Sequence, residues 1–191
     1  MSAKTIHFIR HAQSQHNARA FDPATEAAAR IDPALRDARL TPLGRQQASA
    51  LTDEITTLHD IELVVTSPLT RAIQTTLAAF AHHPAPRIVH ALHRERLESF
   101  CDVGRGPVDL AADFPLLRFD HLDDPWWHFL PDHDGPFALE PMDALQQRVS
   151  DFADWLSGRS EQTIAVVGHG TFLRMLTDVA FDNAQRVMMR F

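Results

Sequence analysis

The sequence holds a single cysteine, Cys101, and no tyrosine. One thiol excludes an intrachain disulfide, so the fold has to be held by its core. Glycine is scarce, at seven of 191 residues, which excludes a collagen-like or Gly-rich linker chain. No stretch approaches about 18 consecutive apolar residues, so no membrane-spanning helix is expected. The start, MSAKTIHFIR, meets a charge too soon for a secretory signal, and the expected location is the cytoplasm. Basic residues are the minority: 18 Lys and Arg stand against 25 Asp and Glu, a net charge of −7. That balance argues against a nucleic-acid-coating role, though it permits a local basic pocket.

What is present is the composition of a globular protein, 45% hydrophobic and 23% charged. A chain of this length suits a single α/β domain and buries roughly 70% of its unfolded surface without a disulfide or structural metal. Histidine is frequent, at 12 copies.

Runs of β-branched and apolar residues predict strands at Thr5–Ile9, Glu62–Thr66, Arg87–His90 and Thr163–Val167, with a last edge strand at Arg186–Phe191. Thr41-Pro42 is a cap followed by proline at the first helical position, and it predicts a helix over 42–59. Ser67-Pro68 repeats that signature and predicts a helix reaching about His82. Further helices are expected at 14–20, 142–156 and 171–179. Residues 21–39 read as a loop with one helical turn. Residues 91–140 are broken by glycine and proline into a long excursion with short helices. Loops this long usually serve function.

Helices alternate with strands that are continuously apolar. Such strands are covered on both faces, so the expected architecture is a three-layer αβα sandwich on a largely parallel sheet. Ligands bind at the carboxyl ends of strands in such sheets. Arg10-His11, Thr66–Arg71 and Gly168-His169-Gly170 all fall there. Two histidines and two arginines would converge on one sheet edge. Guanidinium forks match phosphate oxygens, and helix N-termini add aligned N–H groups.

Four segments carry a resemblance: FIRHAQSQHN, DARLTPLGRQQA, TSPLTRAIQTT and VVGHGTFLRML. In this order they resemble the motifs of the histidine phosphatase superfamily, the phosphoglycerate mutase-like fold, over residues 5–180. Ala12 departs from the usual glycine. The resemblance implies one catalytic domain over 1–191 with a variable lid at about 91–140, and a phosphatase working without a cofactor or metal. It implies that His11 is the nucleophile, and that Arg10, Arg71 and His169 hold the phosphate, with Asn17 and Ser14 beside them. The proton donor is implied to be Glu95, with Glu98 the competitor. The expected partner is a small phosphorylated substrate, with oligomeric state open.

The chemistry asks for these residue types. Phosphoryl transfer is mostly positioning plus neutralisation of oxygen charge. The attacking imidazole has to be neutral, which nearby guanidiniums favour. Two other functions remain open. A phosphomutase of the phosphoglycerate mutase type would pass the phosphoryl group to a second substrate, but the acidic stretch from Asp109 to Asp134 would repel a polyanion. A non-catalytic phospho-ligand module would lack one of the core residues.

Other features read as structural. His121, His128 and His133 among aspartates match no ligand spacing. Trp126 and Trp127 are expected to pack the excursion rather than close over a leaving group, and Cys101 to be a small buried hydrophobe. Leu173 replaces the third glycine of a dinucleotide fingerprint, and the same turn lacks the serine of a nucleophile elbow.

Overall fold

Strand residues alternate between two helical layers, and this alternation organises the molecule. The computed structural model describes residues 3–20, 23–135 and 137–191. Among them, five strands form one sheet: β1 (Thr5–Arg10), β2 (Leu63–Thr66), β3 (Arg87–Val89), β4 (Thr163–Gly168) and β5 (Arg186–Arg190). Their spatial order is β3-β2-β4-β1-β5. The pairs β1–β4, β2–β4 and β2–β3 are parallel, and β5 closes the edge antiparallel to β1.

The helices are α1 (Gln15–Ala20), α2 (Pro23–Ile31), α3 (Pro42–Ile55), α4 (Thr70–Ala79), α5 (Pro107–Asp113), α6 (Met142–Ser157) and α7 (Gly170–Thr177). Ile9, Val64, Ala165 and Val167 point to one side of the sheet, where Leu51 and Ile55 of α3 and Ala72 and Ala79 of α4 cover them. Ile6, Phe8, Leu63, Val65, Ile164 and Val166 point to the other, under Leu145, Phe152 and Leu156 of α6 and Phe172 and Leu173 of α7. Burial on both faces is why these strands read as apolar runs.

The sequence reading needs four corrections. Residues 23–31 form a nine-residue helix rather than a loop turn. The alanine-rich run favours helix, and Pro23 sits at its first turn, where a missing N–H costs nothing. α3 stops at Ile55, because Thr56 and Thr57 turn their hydroxyls onto the carbonyls of Asp53 and Glu54. α4 begins at Thr70, not at Pro68, since Ser67 is drawn away to His169. Its first turn is capped from a distance: Asp37 accepts the Thr70 N–H at 2.7 Å and the Arg105 Nε–H at 2.8 Å. α7 ends at Thr177, with Asp178 left-handed at φ 58°. Phe21, Asp22 and Pro136, placed in loops by sequence, lie outside the described residues.

The 91–140 excursion has its own apolar contacts. Leu110, Phe114, Leu117, Phe119 and Trp126 pack on Leu69 and Ile73 of the α4 region and on Val89 of β3. A 3₁₀ turn at Phe100–Asp102 brings the start of this segment back over the sheet edge.

Candidate active site

The parallel register sets the site. Arg10 is level with Gly168 on the neighbouring strand, so His11 and His169 leave the sheet side by side. The His11 N–H donates to the Gly168 carbonyl at 2.9 Å. The two imidazole centroids lie 5.0 Å apart. Thr66 of β2 pairs with Val167, which places the following turn and α4 beside both histidines.

His11 is 3% exposed. Its Nδ1 lies 2.7 Å from the Ala12 carbonyl, an arrangement that requires the proton on Nδ1. Nε2 therefore presents a lone pair. The Arg71 Nε–H points at it from 3.2 Å. Burial, and then the Arg71 and Arg10 guanidiniums, hold the His11 pKa well below its ordinary value, so the ring is neutral. Ala12 takes the place of glycine without strain, because its φ is not positive. It is fully buried against Leu40 and Ala48, and its N–H reaches Thr75 Oγ1 at 3.0 Å.

Arg71, on the first turn of α4, is 2% exposed. It donates from Nη1 to the Cys101 carbonyl at 2.6 Å and from Nη2 to Asp102 Oδ1 at 2.7 Å. Arg10 donates from Nη1 to the Phe181 carbonyl at 2.7 Å, and its Nε is buried without a partner among the described residues. A Cβ on Gly170 would meet that Nε at 3.3 Å, a tight contact that would press on the guanidinium.

The partly open cleft these groups line has a volume of about 100 Å³. Arg10, His11, Ser14, Asn17, Arg71 and Glu95, all named from the sequence, line it. Asn17 Oδ1 accepts from the Ser14 N–H at 3.1 Å and from Asn183 Nδ2 at 3.2 Å. His169 is different. It is fully buried beneath His11, outside the lining, with Nε2 2.7 Å from Ser67 Oγ. Its Nδ1 has no partner among the described residues. Burial and then Arg71 hold its pKa well below the ordinary value.

Glu95 lies across the N-terminus of α7. Oε2 accepts the Thr171 N–H at 2.9 Å, and Oε1 accepts the N–H groups of Phe172 at 3.1 Å and Arg96 at 2.9 Å. Burial, and then the Asp102 charge, raise its pKa against these hydrogen bonds. Glu98 also lines the cavity, but its carboxylate is paired outward with Arg96 at 3.1 Å and Arg30 at 3.6 Å.

Sequence reasoning missed several residues here. Asp102, His16 and Ser99 line the cavity, and Asn183 ties Asn17 to the His11 carbonyl at 3.0 Å. His16 sits inside the quoted segment FIRHAQSQHN, which was the available signal, and Asp102 follows Cys101 in the excursion, outside the four quoted segments. Asn183 had none, being far away in sequence. The two tryptophans part company. Trp126 is buried and donates to the Arg105 carbonyl at 2.9 Å. Trp127 lines a second cavity of about 290 Å³ with Arg36, Phe100 and Phe129. Cys101 is buried, its thiol 3.4 Å from Asp102 Oδ1. His121 instead contacts the Val89 carbonyl at 2.8 Å. Among the described residues no three His, Cys, Asp or Glu side chains gather as a metal-holding group, and no helix is long and apolar enough to cross a membrane.

Comparison with known proteins agrees with this geometry. The family model described as "Histidine phosphatase superfamily (branch 1)" matches residues 6–191. A phosphoglycerate mutase-like protein of Arabidopsis thaliana is 30% identical over 208 residues, covering 91% of this chain and 73% of its own. A "probable phosphatase" of Schizosaccharomyces pombe is 28% identical over 182 residues, covering 92% and 78%. A mycobacterial glucosyl-3-phosphoglycerate phosphatase, solved with VO3, shares the fold at TM-score 0.61 and 19% identity, covering 97% of this chain and 92% of that one. With its motifs in order, its strand ends aligned and the family match running from β1 to the last residue, the chain belongs to branch 1 of the histidine phosphatase superfamily.

Proposed function

We propose that this protein hydrolyses small phosphomonoesters through a phosphohistidine on His11. The observation that carries the reading is the imidazole itself. Its Nδ1 proton is held on the Ala12 carbonyl, so the lone pair is on Nε2, where it accepts the Arg71 Nε–H beside a small cleft lined by Arg10, Ser14 and Asn17. The phosphatase names of relatives and fold neighbours support it.

In the first step His11 Nε2 attacks phosphorus, and the bond from phosphorus to the leaving oxygen breaks. Glu95, whose pKa is raised by burial and then by the Asp102 charge, gives its proton to that oxygen. Arg10 and Arg71 neutralise the equatorial oxygens. His169, locked by Ser67, supports His11 from below. In the second step Glu95 takes a proton from water, the hydroxide adds to phosphorus, and the P–N bond breaks. Phosphate leaves, with His11 neutral and Glu95 protonated again. The 91–140 excursion supplies the variable wall that selects the leaving group.

A phosphomutase is the second reading, favoured by the name of the Arabidopsis relative. It fits less well. The cleft is small, and the Asp102 carboxylate in its wall opposes a second phosphate. A panel of phosphomonoesters, each with and without 2,3-bisphosphoglycerate, separates the two. Release of inorganic phosphate independent of bisphosphoglycerate supports the phosphatase. Transfer that requires it contradicts the phosphatase.

A further inference from the structure

Asp102 stands where an anion is least expected. Its side chain is 4% exposed, in the wall of a cavity built for phosphate oxygens. A carboxylate there opposes the ligand's charge, so a fixed task has to account for it. Oδ1 takes the Arg71 Nη2–H at 2.7 Å, and the neighbouring Cys101 carbonyl takes Nη1 at 2.6 Å. These two bonds fix the guanidinium plane so that Nε faces His11 Nε2 at 3.2 Å. Oδ2 is used for the wall itself: it accepts the N–H groups of Ser99 at 3.2 Å and Glu98 at 3.4 Å. One carboxylate thus ties the 98–102 turn to the first turn of α4.

The charge count adds a second consequence. The cations on the cavity wall are Arg10 and Arg71. His11 is neutral, and His16 is held below its ordinary pKa, chiefly by burial. Glu98 is paired outward with Arg96 and Arg30. Asp102 therefore reduces the charge offered to a phosphate dianion. A pocket with both guanidiniums uncompensated would hold inorganic phosphate, the product, more tightly.

We propose that Asp102 is a positioning residue for Arg71 and also limits the pocket's affinity for product phosphate. The inference rests on the phosphatase reading given above. Two variants separate its two halves. Asp102→Asn keeps an oxygen for Arg71 but removes the charge. Asp102→Ala removes both. Binding of inorganic phosphate is measured by calorimetry and needs no turnover, so it remains readable even if the phosphatase reading fails. Inhibition by phosphate and kcat/KM are measured alongside.

For Asp102→Asn the expected result is phosphate binding tightened about tenfold, with kcat lowered as product leaves more slowly. For Asp102→Ala the expected result is the opposite sign: phosphate binding weakened and kcat/KM lowered by about 10²-fold, as Arg71 loses its anchor. In an Arg71→Ala background, Asp102→Ala should change kcat/KM by less than twofold. That double variant also removes the unpaired buried cation, so it stays informative if Asp102→Ala alone fails to fold. A purely structural role would lower the melting temperature and shift both variants the same way. Shifts of one sign, or an additive loss in the Arg71→Ala background, would overturn the proposal.

Discussion

Glu140 is 1% exposed and anchors the segment that carries the proposed acid. It accepts from Arg148 Nε at 2.8 Å and Nη2 at 2.6 Å, from Arg94 Nη2 at 3.3 Å, and from the Leu97 N–H at 3.3 Å. Arg148, itself 7% exposed, reaches on to the carbonyls of Leu92 at 2.6 Å and Arg94 at 3.1 Å. Residues 92–97 are thus clamped around Glu95. Burial would push the Glu140 carboxyl up, but Arg148 and Arg94 hold it below its usual range, so it is ionised at neutral pH. Glu140→Gln leaves the buried Arg148 cation without its counter-charge. Breaking such a pair costs about 3–5 kcal/mol. At roughly 2–4 °C per kcal/mol for a chain of this size, the melting temperature should drop by about 6–20 °C. Adding Arg148→Met should recover at least half of that drop, because the stranded charge is gone. Thermal unfolding by circular dichroism at pH 7 reads both. A drop under ~2 °C for Glu140→Gln, or no recovery in the double variant, would refute the argument that this pair is closed and charged.

The remaining predictions concern the chemistry. Glu95→Gln should cut turnover of an alkyl phosphate by about 10²-fold or more and of p-nitrophenyl phosphate much less, since a nitrophenolate scarcely needs a proton. Glu98→Gln should leave both substrates nearly unchanged, and the reverse pattern would move the acid to Glu98. The pH profile on alkyl phosphates should peak on the acid side of neutrality. His11 is lowered, so its neutral form persists well below pH 6.5 and activity falls only as pH drops through that low value. Glu95 is raised from 4.5, so its proton survives into weak acid and activity falls as pH rises through the raised value. A rate still climbing at pH 9 would contradict this assignment. EDTA should leave hydrolysis unchanged, because guanidiniums supply the neutralising charge; loss of activity restored by zinc or magnesium would contradict it.

The framework was legible from local pattern. The strands buried on both faces declared themselves as apolar runs, and their carboxyl ends pointed to Arg10, His11, Arg71 and His169 before any geometry. α2 was hidden because Pro23 and Pro33, which bracket it, read as breaks. The start of α4 was misplaced because its cap is Asp37, 33 residues away. The residues that hold Arg71 and Asn17 in place were least visible. Asp102 and Asn183 act through contacts 31 and 166 residues long, which no spacing encodes. Glu95 could be named but not explained, since its carboxylate is fixed by the N–H groups of Thr171 and Phe172, on a helix more than 70 residues further on.

The central claim is that the His11 Nε2 lone pair accepts the phosphoryl group. It is tested most directly by quenching a reaction with ³²P-labelled phosphomonoester in alkali and mapping the label. The account predicts an acid-labile, alkali-stable adduct on the peptide carrying His11. The adduct should vanish with turnover in His11→Ala and diminish in His169→Ala. A stable adduct on any other residue, or full turnover by His11→Ala, would contradict it.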